Sequence, residues 1–244
     1  MRLKIYQSFF NSKEYRNLDK AFIPFNNIEN KNPELREYPL LKKLHEKNIN
    51  FKGHWGMVSW RWKEKTKIPG EDLIKWIEMN PGYDVYIINP YSYLPETLKN
   101  TFIQGESDHP GMLKYTNKLL EHLGYNFNIE DADFPLNIFS TCHFYIGNSK
   151  FWDNWMSFIE LTLDITQRDG KMFDYMYNTF SDYHGNNLMN YCFVIERLVS
   201  LFLYLNYNQY KILHYPYQLI LNKNHKEMEF TEIQKKAFLL NTIY

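Results

Sequence analysis

Hydrophobic and polar positions along the chain follow two periods, one typical of strands and one typical of helices. Short alternating or compact apolar runs predict strands at residues 2–6, 54–60, 83–90, 138–146 and 211–214. Apolar positions spaced by three and four residues predict helices at 38–48, 71–79, 110–123, 150–165, 188–205 and 231–240. Polar composition predicts loops at 11–32 and 61–70.

This order, in which strands and helices largely alternate, is typical of an α/β domain. No internal repeat and no low-complexity block interrupts it. We therefore predict one domain over residues 1–244, with a mixed sheet flanked by helices in a core of about residues 1–215. A C-terminal helical extension is expected over residues 216–244.

Composition narrows the functional classes. Lys+Arg 28 balances Asp+Glu 28, so the net charge of +0 argues against a nucleic-acid binder that relies on bulk charge. The mean hydropathy of −0.54, with 44% hydrophobic residues, excludes a disordered chain, and no apolar run is long enough to span a membrane. Cys142 and Cys192 lie in apolar stretches and are expected to be free core cysteines. We expect a cytoplasmic protein.

Familiar catalytic signatures are absent from the sequence: it has no P-loop, GxGxxG, HExxH, paired CxxC or GxSxG motif. The candidates for chemistry are polar residues in apolar surroundings. Asp84, in YDVYIINP, is a carboxylate at the edge of a buried strand, where it needs a cation or several donors. The alternative is an aspartate that caps the turn after Pro81-Gly82.

The segment HWGMVSWRW at 54–62 combines parts that a sugar or nucleobase site needs. Gly56 allows close approach to the backbone, and Arg61 offers a forked phosphate donor. Stacking faces are offered by Trp55, Trp60 and Trp62. An aromatic core strand followed by a solvated basic loop explains the same pattern.

Two further sites carry charge or an imidazole. His109 lies at a predicted helix start, where it could act as acid, base or donor, although Asp108 beside it could simply be a cap. Glu196 and Arg197 interrupt an otherwise apolar helix, which predicts either a buried ion pair or groups that face a cleft.

Taken in order, these segments resemble bacterial capsular and lipopolysaccharide glycosyltransferases. That pattern contains Y-x-G-x-x-HYRR, then a strand rich in Tyr and Asp, then a late helix with ERL. The positions that match are Gly56, Trp60, Arg61, Asp84, Glu196, Arg197 and Leu198. Ser59 stands where the pattern has histidine, and Trp62 stands where it has the second arginine.

The resemblance implies a GT-A-like, Rossmann-type fold. It implies transfer of a sugar from a nucleotide-sugar donor to a glycan or lipid-linked glycan in surface polysaccharide or glycoconjugate synthesis. Asp84 would hold Mn²⁺ or Mg²⁺ or the donor ribose, although Tyr86 replaces the second acid of an Asp-x-Asp motif. Arg61 would meet the diphosphate, and Trp55 or Trp60 would stack on base or sugar. The remaining donor-binding set is Gly56, Ser59, Tyr86 and Arg197.

For such transfer, His109 and Glu196 are rival candidates for the base that deprotonates the acceptor hydroxyl. Peripheral attachment to the inner membrane face is compatible with a lipid-linked acceptor. Two other classes account for the aromatic richness: a non-catalytic glycan-binding module with an aromatic-rich site, and an assembly protein whose aromatic residues are all core.

Overall fold

The computed structural model describes residues 1–30, 32–91, 98–183 and 185–216. Its strands are β1 (Leu3–Phe9), β2 (Ile23–Asn26), β3 (His54–Val58), β4 (Val85–Ile87), β5 (Tyr145–Gly147), β6 (Phe180–Tyr183), β7 (Asn186–Met189) and β8 (Ile212–His214). Its helices are α1 (Ser12–Tyr15), α2 (Tyr38–Asn48), α3 (Trp62–Thr66), α4 (Gly70–Met79), α5 (Thr101–Asp108), α6 (Met112–His122), α7 (Ser149–Arg168), α8 (Gly170–Phe173) and α9 (Asn190–Leu205).

Six strands form one mixed sheet in the order β2-β1-β3-β5-β4-β8. β5 lies antiparallel between β3 and β4, whereas the other neighbouring pairs are parallel. The amino end of β5 therefore lies at the same edge of the sheet as the carboxyl ends of β3 and β4. β6 and β7 form a separate hairpin.

Apolar side chains fill a layer on each face of the sheet because successive strand residues point to opposite faces. On β1, Tyr6 faces the larger layer, which holds buried residues of α2, α7 and α9, and Ile5 faces the smaller layer, which holds those of α3 and α4. In the larger layer, Trp55 of β3 stacks on Trp152 of α7 with ring centroids 3.8 Å apart. The helices therefore cover both faces of the sheet.

The predicted α/β class with a mixed sheet flanked by helices is confirmed. The loop predicted over 11–32 is wrong, because Asn11 caps α1 and β2 adds to β1 as a parallel edge strand. The loop predicted over 61–70 contains α3. The helix predicted over 110–123 begins later, at Met112, because Gly111 has φ +97. The β6–β7 hairpin was not predicted.

The strand predicted over 138–146 shortens to β5, and polar side chains of the residues before it make hydrogen bonds outside the strand ladder. Ser140 Oγ donates to the Cys142 carbonyl at 2.8 Å, and Thr141 Oγ1 donates to Asn89 Oδ1 at 3.3 Å. His143 lies in this irregular segment, just before β5 begins.

Both cysteines are free and buried, as predicted. Within the described residues, no helix has the length and apolar character that crossing a membrane requires. Most of the predicted C-terminal extension, with its helix at 231–240, lies outside the described residues, and the single-domain boundary stays a prediction.

Candidate active site

Three titratable side chains meet at the edge of the sheet where the parallel strands end. Glu37 immediately precedes α2, His143 precedes β5, and Glu196 lies on α9. One ligand atom from each group lies within 4.8 Å of the other two. Ligands of open α/β sheets bind outside the carboxyl ends of the strands, so this edge is where a substrate is expected.

Charges around this cluster act on both carboxyl groups. Burial, and next the neighbouring Glu37, raise the pKa of Glu196 to about 7 against the lowering effects of Lys65, Arg197 and Arg36. Burial also raises the pKa of Glu37, again opposed by Lys65 and Arg36. Two carboxyl groups this close do not both ionise readily. Lys65 also donates to Cys142 Sγ at 3.3 Å, which holds its ammonium beside the pair.

The same edge carries polar atoms that are buried and have no hydrogen-bond partner among the described residues. They include Ser8 Oγ at the end of β1, Asn27 Nδ2 just after β2, and Arg36 Nε. Arg36 also has a left-handed backbone with φ 50, which costs energy in a residue other than glycine. A ligand bound at this edge would supply the partners that these buried polar atoms lack.

Asp84 lies at the opposite edge of the sheet. It precedes β4, whereas His143 lies beyond the other end of that strand, about 16 Å away along the sheet. Its Oδ1 accepts from Asn148 Nδ2 at 2.7 Å, and its Oδ2 accepts from the Lys211 backbone N–H at 2.8 Å. These contacts tie β4 to the start of α7 and to the segment before β8.

We expect Asp84→Asn to lower stability by about 1–2 kcal/mol, because the amide cannot accept at both positions. Nucleotide-sugar affinity should stay unchanged, because Asp84 lies at the edge of the sheet opposite the cluster. Urea unfolding and donor titration in the presence of Mn²⁺ measure the two effects. Asp133→Asn, in an exposed loop, is the matched control. A selective loss of donor affinity in Asp84→Asn would instead place the donor site at the amino edge.

Three of the predicted donor-binding residues lie in the core. Trp55 is 1% exposed and its ring stacks on Trp152, so protein occupies the face predicted to stack on a ligand. Tyr86 is fully buried, and its hydroxyl donates to the Asn80 carbonyl at 2.7 Å. A Cβ on Gly56 would collide with the Tyr145 carbonyl oxygen, so this glycine allows β5 to approach β3.

The rest of the tryptophan-rich segment lies at the carboxyl edge, after β3. Trp60 is 37% exposed, and the Arg61 guanidinium lies 6.0 Å from its ring centroid. Arg61 Nε donates to both carboxylate oxygens of Glu64 at 3.1 Å. Ser59 Oγ accepts from the Arg61 backbone N–H at 3.3 Å. The structure thus brings Ser59, Trp60 and Arg61 to the same edge as the carboxyl pair.

His109 and Arg197 both contact Phe193 and lie outside the Glu37–His143–Glu196 cluster. Arg197 is 5% exposed and donates to Thr101 O, Phe193 O and Gln104 Oε1 at 3.0, 2.9 and 2.6 Å. His109 stacks on Phe193 at 3.6 Å. Burial, and next Arg197, lower the pKa of His109 to about 4. Arg197 therefore joins α9 to α5, and its neighbour Glu196 reaches the cluster.

Sequence reasoning found Glu196 and missed its partners Glu37, Lys65 and His143. A signal existed for His143, which is a lone imidazole within the apolar run STCHFYI. Glu37 directly precedes a Tyr-Pro helix start, and Lys65 is one of several lysines in its segment, so neither stands out locally.

Two positions are candidates for binding the predicted Mn²⁺ or Mg²⁺. Glu37, His143 and Glu196 are close enough to surround a cation, but Lys65 already supplies positive charge to both carboxyl groups. Both oxygens of Asp84 accept from protein donors. Among the residues described, neither position offers a metal a ligand set without a competing cation or donor, and we assign no metal.

Comparison with known proteins gives a fold and no family. No protein-family model matches the chain, and no curated protein matches it. A solved structure that is similar is the apo structure of WbbM, a bifunctional glycosyltransferase, with a TM-score of 0.52 and 14% sequence identity. The match covers 87% of this chain and 44% of WbbM, so this chain corresponds to less than half of that protein. At this identity, the likeness shows that this chain shares the fold of part of WbbM.

Proposed function

We propose that this protein is a glycosyltransferase that moves a sugar from a nucleotide-sugar donor to a glycan acceptor. The observation that carries the proposal is the Glu37–Glu196 carboxyl pair beside Lys65, at the carboxyl edge of a glycosyltransferase-like sheet. Transfer to a hydroxyl needs a base, and departure of a nucleoside diphosphate needs nearby positive charge. The cluster provides both kinds of group.

Glu196 is the first candidate for the base. Its raised pKa, about 7, places the carboxylate near the working pH, where a general base is most effective. Glu37 is its partner in the pair. His109 remains the rival from sequence analysis, but burial and Arg197 keep this imidazole a weak base.

The donor is proposed to lie along the carboxyl edge from β1 to β3. Lys65 and Arg36 would meet its diphosphate, with Arg61 as a third candidate, and the exposed ring of Trp60 offers a stacking face. The unpaired polar atoms of Ser8 and Asn27 would face the nucleoside. The acceptor is proposed to be a surface-polysaccharide or glycoconjugate glycan, either free or lipid-linked at the inner membrane face.

A thermal-shift screen tests donor binding. Purified protein is heated with UDP-, GDP-, CMP- and dTDP-linked sugars, each with and without Mn²⁺. A ligand that binds only the folded state stabilises it by about 2.7 kcal/mol at a hundred times Kd, so one nucleotide class should raise Tm by several degrees.

Lys65→Met should abolish that shift, because it removes the cation beside the carboxyl pair that is proposed to meet the donor diphosphate. Lys63→Met, on an exposed position of the same short helix, is the matched control and should keep it. A shift with glycans and with none of the nucleotide sugars would contradict the proposal and favour the glycan-binding module.

A further inference from the structure

A buried hydrogen-bond chain fixes which nitrogen of His143 carries the proton. Trp155 Nε1 donates to the Tyr145 hydroxyl at 3.1 Å, and this hydroxyl lies 3.0 Å from His143 Nδ1. Tyr145 is fully buried, and burial raises its pKa far above the usual range, so the hydroxyl keeps its proton. The indole N–H cannot accept that proton, and His143 Nδ1 is the acceptor that the described residues provide.

With Nδ1 engaged by Tyr145, Nε2 is the ring nitrogen left for the carboxyl pair, and it would present an N–H there. Burial, and next Lys65, lower the pKa of His143 to about 3, so the imidazole is neutral at neutral pH. A neutral imidazole whose Nδ1 accepts a hydrogen bond carries its hydrogen on Nε2. A metal needs a lone pair at that nitrogen, whereas an oxygen atom of a substrate accepts a hydrogen bond from it.

The space between the three groups suits one hydroxyl. The ligand atoms of Glu37, His143 and Glu196 lie within 4.8 Å of one another, and an oxygen placed among them can hydrogen-bond to more than one group. We propose that this space seats the attacking hydroxyl of the acceptor sugar, which accepts from His143 Nε2–H and donates to Glu196 or Glu37. This inference rests on the proposed glycosyl transfer.

Sugar transfer at this site involves the acceptor hydroxyl, the donor sugar and the carboxylate. The hydroxyl oxygen forms a bond to the anomeric carbon of the donor sugar, and the bond from that carbon to the diphosphate oxygen breaks. The leaving nucleoside diphosphate takes the electron pair, and the hydroxyl proton passes to the carboxylate. His143 orients the oxygen, and Tyr145 and Trp155 are positioning residues that act through His143.

Tyr145→Phe tests the chain because it removes the donor to Nδ1 and keeps the ring. We expect kcat to fall about 10- to 100-fold with the donor KM unchanged. The ¹⁵N spectrum of the histidine side chains should show His143 as the Nε2–H tautomer in the natural protein and as a mixture in Tyr145→Phe. His143→Gln, which assigns the signal and keeps an N–H, should retain more activity than His143→Ala.

Tyr115→Phe is the matched control, since Tyr115 is a buried tyrosine whose hydroxyl bonds Thr166 at 2.7 Å. It should change neither kcat nor the His143 spectrum. An Nδ1–H signal for His143, or its stoichiometric broadening by Mn²⁺, would overturn the inference in a protein that binds nucleotide sugars. Absence of nucleotide-sugar binding would overturn the proposed function instead, whatever tautomer the spectrum shows.

Discussion

Replacing Glu196 with glutamine is expected to abolish sugar transfer and to stabilise the fold above neutral pH. As the base, the carboxylate contributes about 10²- to 10⁴-fold to turnover, and an amide cannot take the proton. The folded-state pKa of about 7 lies above the ordinary 4.5, so the folded protein holds this proton more tightly than the unfolded chain. Stability from this group is therefore complete below about pH 4.5 and is lost as the pH rises through 7.

Glu196→Gln removes that loss, so we expect its free energy of unfolding at pH 8 to exceed that of the natural protein by about 1–3 kcal/mol. Urea unfolding at pH 5 and pH 8, together with turnover at saturating donor, measures both effects. Glu160→Gln is the matched control, because that exposed carboxylate pairs with Lys42 at the surface. Near-normal turnover in Glu196→Gln would transfer the role of base to Glu37 or His109.

Replacing Gly56 with alanine is expected to destabilise the protein by about 3 kcal/mol or to prevent folding. The added methyl group would collide with the backbone of Tyr145 and Ile146 in the neighbouring strand, which cannot move without breaking the sheet. The free energy of unfolding, or the yield of folded protein, gives the measurement.

Gly170→Ala is the matched control for this change. Apart from the chain neighbours and the helix's own backbone, no atom lies within 4 Å of the new methyl group, and Gly170 begins a helix. Stability should therefore stay the same or rise by up to about 1 kcal/mol. A folded Gly56→Ala protein of normal stability that fails to bind donor would return Gly56 to the donor site predicted from sequence.

The long amphipathic helices could be predicted from the sequence because their periodic apolar faces decide their structure locally. α2 matches the predicted 38–48, and α7 and α9 differ from prediction by a few residues at their ends. Short elements were missed where tertiary contacts decide them: β2 exists because it pairs with β1, and its exposed residues carry no strand pattern. The pairing with β1 therefore decides that this segment is a strand, which its own sequence does not indicate.

The candidate site divides in the same way. Glu196 stands out in sequence because a carboxylate within an apolar helix needs a reason to be there. Asp84 stands out for the same reason, yet its position at the amino end of β4 gives it protein donors rather than a place in the cluster. A polar residue in an apolar run shows that a partner exists, without showing which edge of the sheet the partner occupies.

By itself, the sequence determined the α/β class, the principal helices and the presence of an unusual carboxylate at Glu196, because each depends on local periodicity and composition. Only the tertiary structure decided that Glu37, His143 and Lys65 surround it. Glu37 and Glu196 are roughly 160 residues apart, and the antiparallel insertion of β5 among parallel strands carries His143 to their edge. Strand order and direction depend on long-range pairing, which no single segment of the chain encodes.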